Sequence, residues 1–223
     1  MPALESSRIR GIVFDLWNTL AYNDHLPNPI LALGNAFHLR HRPRWRKVLE
    51  EVMMRGKLAG IEDGIAALSR RTGVTLAAGA AEALADNWRA ACTKSRLFPE
   101  VSEILERLGL RYRLGLLSNT QSFDNDIPGL SQLPFRARLF SCELGSLKPE
   151  PEMFVRMAEL LGLPPSDLLM VGDNLEDDIL GSEAAGLQAL LIRRHGAPLS
   201  FKESHPDRQS LSTLRPLPEM LGA

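Results

Sequence analysis

Apolar runs of strand type and apolar stripes of helical type alternate along the chain, and the first run sets the frame for the rest. Ile12-Val13-Phe14 is a β-branched and aromatic run of the kind that forms a buried strand. It breaks at Asp15, and Asn18, Thr19 and Asn23 supply turn-type residues beyond it. After a polar exit over Tyr22 to Asn28, the sequence up to about Arg96 reads as helices without strands. Trp45, Val48, Leu49, Val52 and Met53 recur at helical spacing, as do Ala80, Leu84, Trp88, Ala91 and Cys92, with Gly56, Gly60 and Gly73 as punctuation.

From Leu97 onward strands and helices alternate. Val101, Ile104, Leu105 and Leu108 form one helical stripe ended by Gly109. Tyr112 to Leu117 predicts the second core strand, running into Ser118-Asn119-Thr120, and Gln121 to Pro134 reads as irregular. Ala137 to Cys142 predicts a third strand, and a loop at Gly145 to Pro149 precedes a helix carrying Met153, Phe154, Met157, Leu160 and Leu161. Leu168 to Val171 predicts the fourth strand, leading into Gly172-Asp173-Asn174. The next helix closes at Gly186, Gln188 to Ile192 predicts a fifth strand, and Ser210 to Met220 a short edge strand and last helix. Repeated β-α units imply an α/β fold: a Rossmann-like, doubly wound parallel sheet with right-handed crossovers. The expected division is a core of residues 1–20 and 96–223 with an inserted helical cap at 21–95.

With 223 residues and 44% apolar composition, the chain is long enough for one such domain plus the insert. A net charge of -1 argues against nucleic-acid binding by bulk charge. Cys92 and Cys142 lie far apart without metal-ligand spacing, which fits a reducing compartment. Met1 to Arg10 is polar, and no apolar run approaches the length of a membrane span. The expectation is a soluble cytoplasmic protein with no nucleic-acid or membrane partner; the sequence carries no signal for oligomeric state. Arg40, Arg42, Arg44, Arg46 and Lys47, with His38 and His41, read first as a solvated face. The sharper reading is a cap surface that draws an anionic substrate toward the cleft.

Asp15, Ser118, Lys148 and Asp173 follow strands or strand-like segments, and carboxyl ends of parallel strands share one edge of a sheet. Each has an ordinary reading as a cap, turn or surface residue, but four in register favour a site. They suit phosphoryl transfer through a carboxylate nucleophile, with Asp15 attacking. Ser118 offers a hydroxyl, Asn119 a main-chain N–H, and Lys148 a cation for both Asp15 and the phosphoryl oxygens. Asp15, Asp173 and Asp178 crowded together would raise one another's pKa, and Lys148 alone cannot balance three carboxylates. A Mg²⁺ ion can, with the main-chain carbonyl of Trp17 as a further ligand. Asp178 is read as the site candidate and Asp177 as solvent-facing.

Phe14-Asp15-Leu16-Trp17-Asn18-Thr19-Leu20, Leu116-Leu117-Ser118-Asn119, Leu147-Lys148-Pro149-Glu150-Pro151 and Val171-Gly172-Asp173 through Asp178 stand in the order of four motifs. In these, and in the helical insertion of C1 type, the chain resembles the haloacid dehalogenase superfamily over nearly its whole length. The resemblance implies Asp15 as nucleophile, with Ser118 and Lys148 supporting phosphate and nucleophile. It implies Asp173 and the Trp17 carbonyl as magnesium ligands, and Thr19, Asn119 and Asp178 as supporting residues. The expected substrate is a small phosphorylated molecule.

Trp17 departs from the family's phosphatase pattern, which has a second aspartate there as acid and base. An indole donates a hydrogen bond but does not exchange protons usefully at neutral pH. Losing a positioned acid/base costs on the order of 10²–10⁴ in rate, roughly 3–5 kcal/mol of barrier. The expectation is therefore a slow phosphatase, or one limited to good leaving groups, with Tyr22, Asp24 or His25 as candidate substitutes. Two other readings stand beside it. One is a 2-haloacid dehalogenase, whose branch carries an aromatic residue at this position; the other is a non-catalytic binding protein on the same fold.

Overall fold

The computed structural model describes residues 4–194 and 210–223, so residues 1–3 and 195–209 of the expected core lie outside the described residues. The first strand, β1 (Gly11–Phe14), is buried at every position. Two short strands follow at β2 (Ala21–Tyr22) and β3 (Arg96–Leu97). The remaining strands are β4 (Arg113–Ser118), β5 (Phe135–Phe140), β6 (Leu168–Gly172), β7 (Gln188–Ile192) and β8 (Ser210–Leu211). Six of them form one sheet in the order β5-β4-β1-β6-β7-β8, every pairing parallel. The chain moves outward from β1 in one direction through β4 and β5. It then crosses to β6 on the other side, so the order reverses beside β1 and leaves a crevice at the carboxyl edge.

Period-two alternation divides the strands between two cores. Ile12, Phe14, Leu114, Leu116, Leu169 and Val171 face one side, where α5 (Val101–Gly109) brings Val101, Ile104, Leu105 and Leu108. Val13, Leu117, Leu168 and Met170 face the other, against Met153, Phe154, Met157 and Leu161 of α7 (Pro151–Leu161). The sheet is thus covered by helices on both faces, as the alternation predicted.

Four helices lie between β2 and β3: α1 (Pro29–Ala36), α2 (Trp45–Met53), α3 (Ile61–Thr72) and α4 (Ala80–Cys92). The first is started by Asn28, whose Oδ1 accepts the Leu31 N–H at 3.1 Å, with Pro29 at the first helical position. Their stripes meet in a separate core containing Leu33, Phe37, Leu49, Met53, Leu68 and Trp88. Where the sequence reads as strandless, β2 and β3 pair antiparallel, Ala21 with Leu97 and Tyr22 with Arg96, and bracket this helical insert.

The third core strand departs from expectation. It starts at Phe135 and stops at Phe140, because Ser141 opens a short helix, α6 (Ser141–Leu144), whose Glu143 carboxylate accepts the Phe140 N–H at 3.4 Å. The helix expected after Asp173 begins as a wide π-type turn over Leu175–Leu180 before α8 (Gly181–Ala184). The tail forms β8 and α9 (Leu217–Met220), as predicted. Among the described residues, no helix is long and apolar enough to cross a membrane.

Candidate active site

Asp15 is the first residue past β1, and its main-chain N–H still donates to Val171 O at 2.9 Å, holding it against the end of β6. The chain then turns sharply. Asn18 takes a left-handed conformation (φ 59°) that asparagine tolerates, and the Leu20 and Ala21 N–H groups both converge on Leu16 O. Lys148 approaches from the loop after α6. The Asn119 amide clamps its main chain, accepting from the Lys148 N–H at 2.8 Å and donating to the Lys148 carbonyl at 3.1 Å. That fixes the lysine under the site. Its Nζ lies 2.7 Å from Asp15 Oδ1, 2.6 Å from Asp178 Oδ1 and 3.2 Å from Leu117 O.

Asp178 is placed by Gly172 and Asn174. A β-carbon on Gly172 would stand 2.3 Å from Asp178 Oδ2 and 2.5 Å from its Cβ, so only glycine lets that side chain lie against the end of β6. The Asn174 N–H donates to Asp178 Oδ2 at 3.0 Å. Asn174 Oδ1 also accepts from the Glu176 and Asp177 N–H groups, which starts the wide turn. Asp15, Asp173 and Asp178 thus each bring a carboxylate oxygen within 4.8 Å of the others.

The electrostatics follow from burial. Asp15 is 6% exposed and Lys148 3%. Loss of water raises the Asp15 pKa to about 6; Lys148 pulls it down, but the Asp178 charge pushes it up again. Burial works against the Lys148 ammonium too, yet the two carboxylates beside it outweigh that and raise its pKa. Lys148 thus pairs with two of the three carboxylates, and the charge of Arg46 on α2 acts on the third, Asp173.

The other expected site residues are near but less tightly joined. Ser118 ends β4 fully buried, with its Oγ 3.5 Å from Asn119 O, a marginal contact. Thr19 is completely buried, and among the described residues its hydroxyl has no hydrogen-bond partner. Trp17 is half-buried and packs on the apolar core around β1. Of the residues considered as proton donors in its place, Tyr22 and Asp24 both bind Arg96, and His25 Nε2 lies 2.9 Å from Asn87 Oδ1.

Asp177 corrects the sequence reading: it does not face solvent. It is 4% exposed and pairs with Lys47 of α2 at 2.5 Å, while Arg44 reaches Glu176 at 3.4 Å. Burial raises the Asp177 pKa to about 6 against the pull of Lys47. Part of the basic cluster thus docks the insert onto the turn that carries Asp178. Arg55 does the same on the other flank, binding Glu150 and donating to Gly145 O at 3.0 Å.

Sequence reasoning also missed Arg194. Its guanidinium is buried, donates to Thr19 O from Nε at 3.2 Å and Nη2 at 2.6 Å, and lies 4.0 Å over the Phe98 ring. It pairs with buried Glu100, which also accepts from Thr213 Oγ1 at 2.6 Å and the Leu214 N–H at 3.2 Å. Nothing local marks Arg194 in the sequence, since its partners lie far away along the chain. The Asn174 cap was legible in principle, as an asparagine directly before a helix-starting acidic run.

Residues 9–186 match the family model for haloacid dehalogenase-like hydrolases. Human N-acylneuraminate-9-phosphatase is 34% identical over 128 residues, covering 56% of this chain and 52% of that protein. Phosphoglycolate phosphatase of Mannheimia succiniciproducens is 31% identical over 123 residues, covering 52% and 54%. The chain spans about half the length of these relatives. Among solved structures, a 2-haloacid dehalogenase from Pseudomonas syringae pv. Tomato is 25% identical with a TM-score of 0.61, covering 96% of this chain and 98% of that one.

Proposed function

The chain belongs to the haloacid dehalogenase-like hydrolase family, and from that premise we propose that it is a magnesium-dependent phosphatase working through a phosphoaspartate on Asp15. The observation that carries this reading is the meeting of the Asp15, Asp173 and Asp178 carboxylates, two of them paired with buried Lys148. The donors are all hard carboxylate oxygens within 4.8 Å of one another, the ligand type and spacing that a Mg²⁺ ion takes. Asp15, Asp173 and the Trp17 carbonyl would hold it, with Asp178 alongside. When bound, the ion supplies positive charge beside the phosphoryl oxygens.

The chain's own residues do the rest. An Asp15 oxygen attacks phosphorus while the bond to the leaving oxygen breaks. Water then cleaves the acyl phosphate, releasing inorganic phosphate and restoring the carboxylate. Lys148 holds Asp15 in place and adds charge next to the phosphoryl group, and Ser118, Asn119 and Thr19 complete the phosphate cradle. The insert at 21–95 acts as the cap that closes this cleft. The substrate is a small phosphorylated metabolite, the class to which the substrates named for the two relatives belong.

Trp17 sets the limit on this chemistry. With an indole where a proton donor would stand, the leaving oxygen departs as an anion, so acyl and aryl phosphates turn over best. A second reading, 2-haloacid hydrolysis, draws on that same aromatic residue and on the Pseudomonas likeness. Asp173, within 4.8 Å of Asp15, weighs against it, because it adds negative charge where a haloacid carboxylate would sit.

Hydrolysis of p-nitrophenyl phosphate and acetyl phosphate, with and without Mg²⁺, tests the proposal. Mg²⁺-dependent release that disappears in Asp15→Asn supports it. Halide release from 2-chloropropionate without metal would replace it with the second reading. Inactivity of the folded protein on both substrate classes would leave only a binding role.

A further inference from the structure

The opposite edge of the sheet, where β1 and β4 begin, carries a cavity of about 370 Å³ that the proposed chemistry does not use. Three of its nine lining residues are arginines, Arg10, Arg111 and Arg113, and none is acidic. In a chain whose net charge is -1, that concentration does not come from general basicity. Ser6, Ser7 and Tyr112 add hydroxyls to the wall.

Two of the three guanidiniums are anchored by neutral groups. Arg113 Nη1 donates to Leu161 O at 2.7 Å and Gly162 O at 3.0 Å, and Arg111 Nη1 donates to Gly222 O. A carbonyl fixes a guanidinium without cancelling its charge, and it leaves other N–H groups to donate. Arg10 pairs with a carboxylate, Asp167 at 3.7 Å, which it shares with Arg8. Tyr112 Oη donates to Leu221 O at 2.7 Å, which ties the wall to the C-terminal segment. The buried side chains of Ile9, Leu163 and Leu221 supply the apolar part of the lining. The volume is within the range of small-molecule sites, and planar forked donors match phosphate oxygens two at a time.

We propose that this cavity is a second anion site, remote from Asp15, that binds a small phosphate-bearing molecule. It does not depend on the phosphatase reading, because none of its residues belongs to the candidate active site.

Calorimetric titration of the full chain with inorganic pyrophosphate in EDTA tests it. The same titration is run on Arg10→Gln/Arg111→Gln and on Ser7→Glu, which sets a carboxylate on an exposed position of the rim. Saturable binding with half-saturation below about 1 mM is expected. Both variants should weaken it at least tenfold while p-nitrophenyl phosphate turnover stays at the wild-type value. Ser7→Glu keeps the test decisive if the double variant fails to fold. An isotherm unchanged in the folded variants, or no saturable heat in the wild type, overturns the proposal.

Discussion

Replacing Gly172 with alanine probes the packing that holds the site together. The added β-carbon would meet Asp178 Oδ2 at 2.3 Å, Cγ at 2.4 Å and Cβ at 2.5 Å. Contact with the stiff Cβ means that no change of side-chain rotamer relieves the clash, so Asp178 must leave its place. Its carboxylate then loses Lys148 at 2.6 Å and the Asn174 N–H at 3.0 Å, in a position only 1% exposed. Breaking one partner of a buried ion pair costs about 3–5 kcal/mol. At about 2–4 °C per kcal/mol for a chain of this size, the melting temperature should fall by roughly 6–20 °C. Urea denaturation of Gly172→Ala, Asp178→Gly and the double variant measures the coupling. Glycine is needed at position 178 because alanine would keep the offending β-carbon. If the damage runs through Asp178, the Gly172→Ala cost should shrink below about 1 kcal/mol in the Asp178→Gly background. An equal cost in both backgrounds refutes the reasoning.

Three further outcomes are expected. The hydrogen bonds from Thr213 and Arg194 overcome the effect of burial and hold the Glu100 pKa at about 2, below its ordinary 4.5. The stability this gives is present above pH 4.5 and is lost as pH falls toward 2, by up to about 3 kcal/mol, and urea melts at pH 6 and pH 3 should show Glu100→Gln flattening that loss. Thr19→Val removes a buried hydroxyl that has no hydrogen-bond partner among the described residues, so the fold should gain about 1 kcal/mol while turnover of p-nitrophenyl phosphate drops; a loss of stability would show that the hydroxyl is satisfied. Mg²⁺ should raise the melting temperature of the wild type and not of Asp173→Asn, since only the wild type brings all three carboxylates to the ion.

How much of this was legible depends on the range of the interactions. Strand positions were readable because Ile12, Val13 and Phe14, or Leu168 to Val171, carry their own signal of burial on both faces. The grouping of Asp15, Ser118, Lys148 and Asp173 was readable because parallel topology sends strand ends to one edge, and Asp178 was readable from its place in the acidic run after Asp173. The end of β5 was misplaced because the Ser141 helix start relies on Glu143 closing back on Phe140. Asp177 was misread because its partner, Lys47, comes from the insert, 130 residues away in sequence. Arg194 and Glu100 escaped notice for the same reason: each is an ordinary charged residue until the fold buries the two together.

The central place of β1 has a consequence for how the protein is made. Gly11 must find Arg113 on one side and Leu168 on the other, and neither has left the ribosome when β1 emerges. The chain between β2 and β3 supplies all but Phe123 of the buried residues of a separate apolar core, which can collapse in the meantime, while the Ile12-Val13-Phe14 segment waits with both flanks bare. A product cut short before Leu168 leaves that segment one open flank, ready to recruit a strand from another molecule. Expression of fragments lacking β6 should therefore give inclusion bodies, whatever the promise of the part that remains.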